Sequence, residues 1–590
     1  MKFEFDEECP YDANEGTAEF NAPSPWVRPD RLWHKNYPEW MPKTLNYDVI
    51  EKYNGIYCIL KLVAMNFPNN VAVYFKPKEQ KYTYREILYY SKKMASALKD
   101  LGVKKGDPVA LNSKNCPEFV IAMWACAKLG AVLVPINPLL KKLEVSHILR
   151  DCGDVKIAVV HEKNFALFKR SSKEFDLEKI VLIKEDIEEE GKEKEISGVK
   201  IFNFHELLKK YHPLEEKIQI NMKKDLFCLL YTGGTTGLPK GVMLTHFNLL
   251  ANISQLGNFM DEFTEESLEK NYGKLSFIMV LPLCHTFGMI SILGYTGAAT
   301  QLIVYDSLNI TSILESIEMY KVEAFSGVPT MFIMIANHPD FKKRDLTSLD
   351  RVAAGGAAVA PAVAKEWEDV AGVEVRQSFG LTECSPGTHM QPQNWAKWIP
   401  ASIGIPIVDT DAKIVDLDTL KELEPGQDGE LLIRGPQVMK GYWKNPEATT
   451  RVLIKDEEGK IWLRTGDISR MDENGYFYIS GRSKEMIKYK GYRILPAEVE
   501  ASLYEHPAVL EVGVIGIPDK LTGEKIKAFI KLKQDYKDTT AEEIIELAKE
   551  NLAGYKWPRE VEFVSSIPKT AVGKVMRRSL RDREIKMQKS

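Results

Sequence analysis

Between residues 108 and 379, short apolar runs that read as strands alternate with helical patterns, and that alternation leaves few folds open. Pro108–Leu111, Ala131–Ile136, Lys156–Val160, Lys179–Ile183, Leu226–Leu230, Ser276–Leu281, Ala299–Tyr305, Val322–Ser326, Asp350–Ala354 and Glu374–Phe379 are strand-like. Helices are expected between most of them. One spans Pro117–Leu129 and closes at Gly130; another runs to Leu101, with Thr83 and Glu86 spaced as a capping box. Such a chain predicts an α/β fold of mainly parallel sheets covered by helices. Ligands of these folds sit beyond the carboxyl ends of strands. A loop rich in Gly and Thr, His285, Gly327, Gly355 and Gly380 all follow strand ends.

The 590 residues exceed one core and predict about four domains, or fewer large ones. Residues 1–45 carry Trp26, Trp33, Tyr37 and Trp40 without periodicity and read as an extended arm, either free or packed on its own domain. Residues 46–483 form the large expected domain, and Lys184–Lys200 within it, dominated by Glu and Lys, reads as a solvated loop. Short alternating runs at about 405–480 predict a small β subdomain. Residues 484–590 form a compact α+β unit, with a helix from Pro496 and another over 541–551, and strands at Val509–Ile517, Lys525–Leu532 and Val561–Val564.

The net charge of −4 gives no reason to expect nucleic acid. Eight cysteines without a Cys-x-x-Cys pair suggest neither zinc nor a disulfide framework and favour a reducing interior, so the expected compartment is the cytoplasm. Asp6, Glu7 and Glu8 stand where a signal peptide would be basic. No apolar run reaches the length of a membrane span. Peripheral contact with a membrane and a homodimer stay open.

The densest chemical signal is Tyr231-Thr232-Gly233-Gly234-Thr235-Thr236-Gly237-Leu238-Pro239-Lys240-Gly241. It follows the apolar run Leu226–Leu230, and an amphipathic pattern resumes after Thr245, so a strand, a loop and a helix are expected. Glycines let the backbone approach a bulky anion, successive N–H groups form a nest, and Thr hydroxyls with Lys240 add donors. The loop reads as a polyphosphate cradle. It departs from the Walker spacing of Gly, four residues, then Gly-Lys-Ser/Thr.

This stretch resembles the phosphate loop of the AMP-forming acyl-CoA synthetase superfamily, and further motifs similar to that family's follow in its order over about residues 70 to 580. Leu281-Pro282-Leu283-Cys284-His285-Thr286-Phe287-Gly288 resembles the motif that sets a His-aromatic pair beside the acyl carboxylate. Gly355-Gly356-Ala357-Ala358 resembles the small-residue turn under adenine. Ser378-Phe379-Gly380-Leu381-Thr382-Glu383 resembles the segment whose aromatic stacks on adenine, whose Thr meets the α-phosphate and whose carboxylate holds Mg²⁺. Phe379 stands where most relatives have Tyr. Trp462-Leu463-Arg464-Thr465-Gly466-Asp467 resembles the ribose motif, with Arg482 a second ribose contact. The segment from Lys484 to Ile494 resembles the hinge and the pantetheine channel: Lys484 is the hinge by position, and Lys488, Gly491 and Tyr492 are the CoA candidates. Ile567-Pro568-Lys569-Thr570-Ala571-Val572-Gly573-Lys574 resembles the C-terminal motif, whose lysine bridges carboxylate and phosphate during adenylation.

The resemblance implies an acid:CoA ligase that uses ATP, Mg²⁺ and coenzyme A, with Thr232, His285, Glu383 and Lys574 as catalytic candidates. It places the nucleotide on Thr232, Gly233, Gly234, Thr235, Thr236, Gly237, Lys240, Gly355, Gly356, Ala357, Phe379, Gly380, Thr382, Asp467, Arg482 and Lys574. The acyl group falls to His285, Phe287, Gly288, Gly327, Gly355 and Gly380, and the metal to Glu383. The aromatic arm and the run of the sequence resemble long-chain fatty acid–CoA ligases. A medium- or long-chain fatty acid is therefore the first expectation, and an aryl or short hydroxy acid the alternative. Loading of a carrier protein is a third outcome, less favoured because no carrier domain follows Ser590.

Overall fold

The computed structural model describes all residues except 1–17, 20–22, 172–176, 186–193, 197, 233–237, 261–264, 358, 393–394, 400, 520, 570–574 and 590. The phosphate-loop residues Gly233, Gly234, Thr235, Thr236 and Gly237, and Lys574, thus lie outside the described residues. The fold is α/β, and the chain divides into two compact units. The first comprises residues 1–411 and 434–463, the second 412–433 and 464–590. Strands at 429–433 and 464–482 therefore group with the C-terminal residues, whereas the hinge expected at Lys484 concerns motion rather than packing.

Two nine-stranded sheets carry the first unit. In one, Leu226–Thr232, Val132–Pro135, Pro108–Asn112, Ile157–His161, Lys179–Ile183 and Val199–Asn203 run parallel side by side. In the other, the parallel strands are Arg376–Gly380, Arg351–Ala354, Ala324–Gly327, Ser276–Met279, Gln301–Val304 and Val71–Phe75. Strands covered on both faces must be apolar throughout, and Val132–Pro135 and Ser276–Met279 are buried at every position. The helix Pro117–Leu129 is apolar nearly all round and correspondingly buried. Pro117 opens it, and Gly130 at φ +64 closes it in the left-handed region. Thr83 and Glu86 form the capping box of Tyr84–Asp100.

Three local expectations are corrected. The stretch between the phosphate loop and the helix holds a strand that was not expected: Lys240–Thr245 runs antiparallel to Leu226–Thr232, with Thr232 opposite Lys240, and the helix His246–Phe259 starts after its Thr245 cap, where the amphipathic pattern resumes. Val242 and Leu244, on one face of that strand, are fully buried, as a period of two requires. Part of the expected loop at 184–200 is also strand. Lys194–Ile196 pairs antiparallel with Val199–Asn203 at the sheet edge, where charged side chains suit an edge strand as well as a loop. Finally, Cys58 is disulfide-bonded, whereas Cys116, Cys126, Cys152, Cys228, Cys284 and Cys384 are free thiols.

Within the N-terminal arm, the described residues from 23 onward pack on their own unit. Arg31 donates through Nε to Asp411 at 2.6 Å, both buried. Asp409 accepts from Thr44 Oγ1, the Leu45 N–H and Tyr47 Oη at 3.1, 2.8 and 2.6 Å. A buried carboxylate is tolerated only when its acceptors are filled in this way.

In the second unit, Gly523–Leu532 pairs antiparallel with Val509–Asp519 and Ile487–Tyr489 and parallel with Glu560–Phe563. The helix Pro496–Tyr504, with Pro496 at its first turn, and Ala541–Asn551 bury Val499, Leu503, Ile544 and Ala548 against this sheet.

Candidate functional site

In the first unit the candidates gather at the carboxyl ends of neighbouring parallel strands. His285 lies beyond Ser276–Met279 and caps the helix Thr286–Gly297; its Nδ1 accepts the Phe287 N–H at 3.2 Å. With Nδ1 used as an acceptor, the matching tautomer of the ring places its proton on Nε2. Phe287 lies against Gly355: a Cβ on that glycine would stand 2.8 Å from Phe287 Cε1. The Gly355 N–H in turn donates to Gly327 O at 3.0 Å. The His-aromatic motif and the small-residue turn, about seventy residues apart in sequence, thus form one surface. Gly356, at φ +88, and Ala357 are exposed at its rim.

The glycines differ in what they are for. Gly288 is fixed by backbone, because a Cβ there would lie 2.2 Å from Pro282 O; Gly380 would meet Pro386 O at 2.3 Å. Gly327 faces Phe332, Met331 and Phe325. Close packing accounts for the small residue at all three positions.

Phe379 ends the next strand, half-buried, with its ring edge-on to His389 at 5.9 Å. His389 is fully buried, and burial pushes its pKa down to about 3, so the ring behind Phe379 is neutral. Thr382 and Glu383 follow in a 3₁₀ turn, both half-buried. Glu383 Oε1 accepts from Tyr442 Oη at 2.8 Å, and its backbone oxygen accepts the Met439 N–H at 2.8 Å. Lys240 Nζ lies 5.0 Å from the centroid of the Tyr442 ring. Tyr442 belongs to no motif read from the sequence; its one textual signal is a Gly-Tyr pair.

The residues at Glu383 suit Mg²⁺. This ion takes one or two carboxylates and fills its octahedron with phosphate and water oxygens. Glu383 offers one hard oxygen pair with only Oε1 engaged among the described residues, and these contain no cluster of three His, Cys, Asp or Glu that could hold a metal.

The second unit, taken alone, carries the remaining candidates. Asp467 is buried in the strand Ile461–Met471 opposite Arg482, whose Nε lies 2.9 Å from its Oδ1. Thr465 Oγ1 donates to Leu431 O at 2.8 Å and accepts the Asp467 N–H at 3.0 Å. Glu430, which sequence reasoning missed, accepts from both Arg464 and the Gly466 N–H. Gly466 takes φ +71, a conformation that favours glycine.

Lys484 is exposed in the 3₁₀ turn Ser483–Glu485. Lys490 and Gly491, at φ +48 and +84, form the two-residue turn between Ile487–Tyr489 and Tyr492–Ile494. Lys488, Gly491 and Tyr492 are therefore neighbours on one exposed hairpin, and Tyr492 stacks on Tyr555 with centroids 4.1 Å apart. The residues flanking the segment that holds Lys574 are described. Lys569 bridges to Val575, and Arg577 beyond it donates to Glu485 and, through Nε and Nη2, to both oxygens of Glu500.

Residues 60–443 match the family model described as AMP-binding enzyme, and residues 498–574 match the AMP-binding enzyme C-terminal domain. The chain belongs to the AMP-binding enzyme family. It is 35% identical to a long-chain-fatty-acid–CoA ligase of Bacillus subtilis over 574 residues, covering 95% of this chain and 99% of that one. It is 33% identical to a ligase of the same name from Escherichia coli O157:H7, covering 94% and 98%. Among solved structures, the anthranilate CoA ligase AuaEII in complex with anthranoyl-AMP is similar at TM-score 0.77 and 30% identity, covering 90% of this chain and 97% of that one. The fatty acyl CoA synthetase of Mycobacterium tuberculosis is similar at TM-score 0.69 and 28% identity, covering 91% and 99%.

Among the described residues, no helix is long and apolar enough to cross a membrane.

Proposed function

We propose that this protein is an ATP-dependent acid–CoA ligase acting on a medium- or long-chain fatty acid through an acyl-adenylate. The observation that carries the reading is that two linked groups in the first unit, Lys240 with Tyr442 and Glu383, and His285 with Phe287 and Gly355, follow the ends of the neighbouring strands Arg376–Gly380 and Arg351–Ala354. A phosphate-binding cation, a hard metal ligand and a histidine donor are what joining a carboxylate to ATP requires. Near-full-length similarity to ligases named for long-chain fatty acids supports the substrate class.

In the first step an acid oxygen bonds to the α-phosphorus of ATP, and the bond from that phosphorus to pyrophosphate breaks. The acid is already ionised near neutral pH, so His285 need remove no proton; its Nε2–H orients the carboxylate. Lys240 and Thr232 hold phosphate oxygens, Thr382 meets the α-phosphate, and Phe379 offers its ring face to adenine. Held by Glu383, Mg²⁺ would offset phosphate charge when bound. Asp467, acceptor-only, takes the vicinal ribose hydroxyls, with Arg482 beside it. Lys574 supplies a further positive charge to the transition state, as preorganised donors do in such transfers. In the second step the thiol sulfur of CoA bonds to the acyl carbon, AMP leaves with the bonding pair, and the thiol proton passes to solvent. We assign Lys488, Gly491 and Tyr492 to the pantetheine arm and Lys484 to a hinge between the two steps, with residues 484–590 as the moving domain.

The 30% identity to an anthranilate CoA ligase gives an aryl acid the second place. Pyrophosphate release, measured with a panel of fatty, aryl and hydroxy acids with and without CoA, tests the reading. Fatty acids should give the highest turnover and a thioester only with CoA. Turnover on aryl acids alone would move the substrate class, and no pyrophosphate with any acid would end the proposal.

A further inference from the structure

We infer that Tyr442 is a positioning residue for adenylation, joining the Glu383 carboxylate and the Lys240 ammonium into one metal- and phosphate-binding unit. The inference rests on the reading of Glu383 as the Mg²⁺ ligand and Lys240 as a phosphate contact.

Three observations on Tyr442 converge. First, its hydroxyl donates to Glu383 Oε1 at 2.8 Å while the side chain is nearly buried, at 8% exposure. A buried phenol needs a partner, and this one has taken the carboxylate on which metal binding is placed. A hydrogen bond to an ionised group is among the stronger kinds and fixes which oxygen faces away. With Oε1 occupied, Oε2 is the oxygen left to meet a cation. Second, the ring lies under Lys240 Nζ, 5.0 Å from centroid to nitrogen, within the range of a cation–π contact. The ring face restrains the lysine without neutralising it, whereas a carboxylate there would cancel the charge a phosphate needs.

Third, the Tyr442 backbone is held from several directions. Gly441–Tyr442 pairs with Val242 and Met243 in the strand that Lys240 begins. Its N–H donates to Thr449 Oγ1 at 2.9 Å, the Trp443 N–H donates to Gly241 O at 2.7 Å, and the Met439 N–H donates to the backbone oxygen of Glu383. Asn248, on the helix behind, holds the approach through Pro436 O and Val438 O at 2.8 and 3.0 Å. The segment thus ties the edge of one nine-stranded sheet to the turn that ends a strand of the other. A displacement of Tyr442 would misplace Lys240 and Glu383 together.

The test compares wild type with Tyr442→Phe, Tyr442→Leu and Glu383→Gln. The readouts are equilibrium binding of ATP with and without Mg²⁺, pyrophosphate release, thioester formation from supplied acyl-adenylate and CoA, and the thermal midpoint. Tyr442→Phe keeps the ring and removes the hydroxyl. It should weaken ATP binding about tenfold with Mg²⁺ present, leave metal-free ATP binding and the second half-reaction unchanged, lower the thermal midpoint modestly because Glu383 loses a hydrogen bond, and raise the Mg²⁺ concentration needed for half-maximal adenylation. Tyr442→Leu should also weaken metal-free ATP binding, because Lys240 loses its ring. A Mg²⁺ dependence shifted by Glu383→Gln but not by Tyr442→Phe overturns the inference alone. Equal losses in both half-reactions and in thermal midpoint for Tyr442→Phe would reduce Tyr442 to a structural role, also overturning it. An unshifted Mg²⁺ dependence in Glu383→Gln overturns the reading of Glu383, and the inference falls with it.

Discussion

The two units hold their functional side chains by different means. In the first, the restraints are mainly neutral and buried. Backbone presses on glycine at Gly288 and Gly380, and amides such as Asn252 and Gln255 are satisfied inside, with Asn252 donating to Gly387 O at 2.9 Å and Gln255 to Val408 O at 2.7 Å. In the second, the restraints are ion pairs with at least one partly exposed partner: Arg482 with Asp467, Arg464 with Glu430, Arg577 with Glu485 and Glu500, Lys569 with Glu511. Neutral close packing permits one geometry and resists change. Partly exposed ion pairs contribute little each and can exchange partners. The first arrangement suits a cradle that must be preorganised for phosphate, the second a unit proposed to serve two successive steps.

The largest expected effect separates those steps. Lys574→Ala should lose about 2.7–4 kcal/mol of transition-state stabilisation in adenylation, while still converting supplied acyl-adenylate and CoA to thioester. Gly491→Leu should do the reverse, accumulating acyl-adenylate after one burst of pyrophosphate. Its hairpin tip has open space around the Cβ position but takes φ +84, so Gly491→Ala, which carries the same backbone strain without the bulk, is the control that separates an obstructed pantetheine path from a distorted turn. Assaying the half-reactions separately decides the matter; equal damage to both in each variant would remove the division of labour.

Next in size is the contrast between glycines. Gly288→Ala drives a methyl into Pro282 O and should cost about 3 kcal/mol or more, as overpacking against rigid backbone does. Gly491→Ala meets nothing within 4 Å and should cost only the left-handed backbone term, about 1–2 kcal/mol. Urea unfolding followed by probes in each unit measures both. A Gly288→Ala protein as stable as wild type would show that backbone to be more yielding than a neutral, close-packed unit should be.

These glycines also show where the sequence was legible. Most of the parallel strands were read to within about two residues because burial on both faces makes them continuously apolar, as at Val132–Pro135, whereas Val71–Phe75 and Val199–Asn203 were not read. The helix at Pro117 declared itself through Pro and Gly at its ends. Lys240–Thr245 was not read as a strand because an edge-proximal strand of six residues leading directly into a capped helix offers too few alternations to set its period. Among the candidates, His285, Phe379, Glu383 and Asp467 could be proposed from the sequence because their motifs are local. Tyr442 and Glu430 could not, since Tyr442 reaches Glu383 across 59 residues of sequence and Glu430 reaches Arg464 and Gly466 across 34 and 36. Long-range pairing of that kind leaves no pattern in one sequence.

A third expectation concerns acid. His246 and His389 are fully buried in the first unit, and burial depresses their pKa values to about 4 and about 3. A histidine depressed in the fold is neutral there and protonates in the unfolded chain first. The stability it contributes is complete above its ordinary value near 6.5 and is lost as pH falls toward the folded value. Each should add a slope of up to about 1.4 kcal/mol per pH unit below pH 6.5. Urea midpoints for the first unit at pH 7 and pH 5 should differ accordingly, and His389→Gln should flatten part of the slope. An unchanged slope in that variant would mean that His389 is not neutral in the fold.

The smallest effect probes the neutral character of the first unit at the nucleotide itself. Phe379 presents a ring without a hydroxyl, backed edge-on by the neutral His389 ring. Stacking draws on the ring face, so Phe379→Ala should raise the KM for ATP by about three- to tenfold, from an aromatic contribution of about 0.5–1.5 kcal/mol beyond area burial. Phe379→Tyr keeps the face. Thr388 Oγ1 already donates to the Phe379 backbone oxygen at 3.2 Å, so the strand end is held whichever ring it carries. Phe379→Tyr should therefore change the KM for ATP by less than about twofold, corresponding to under about 0.4 kcal/mol. Steady-state kinetics at fixed acid and CoA distinguish the two variants. A Tyr variant as poor as the Ala variant would mean that the edge of the ring, not its face, meets the nucleotide, and that this pocket is selected for the absence of a polar group rather than for aromatic area.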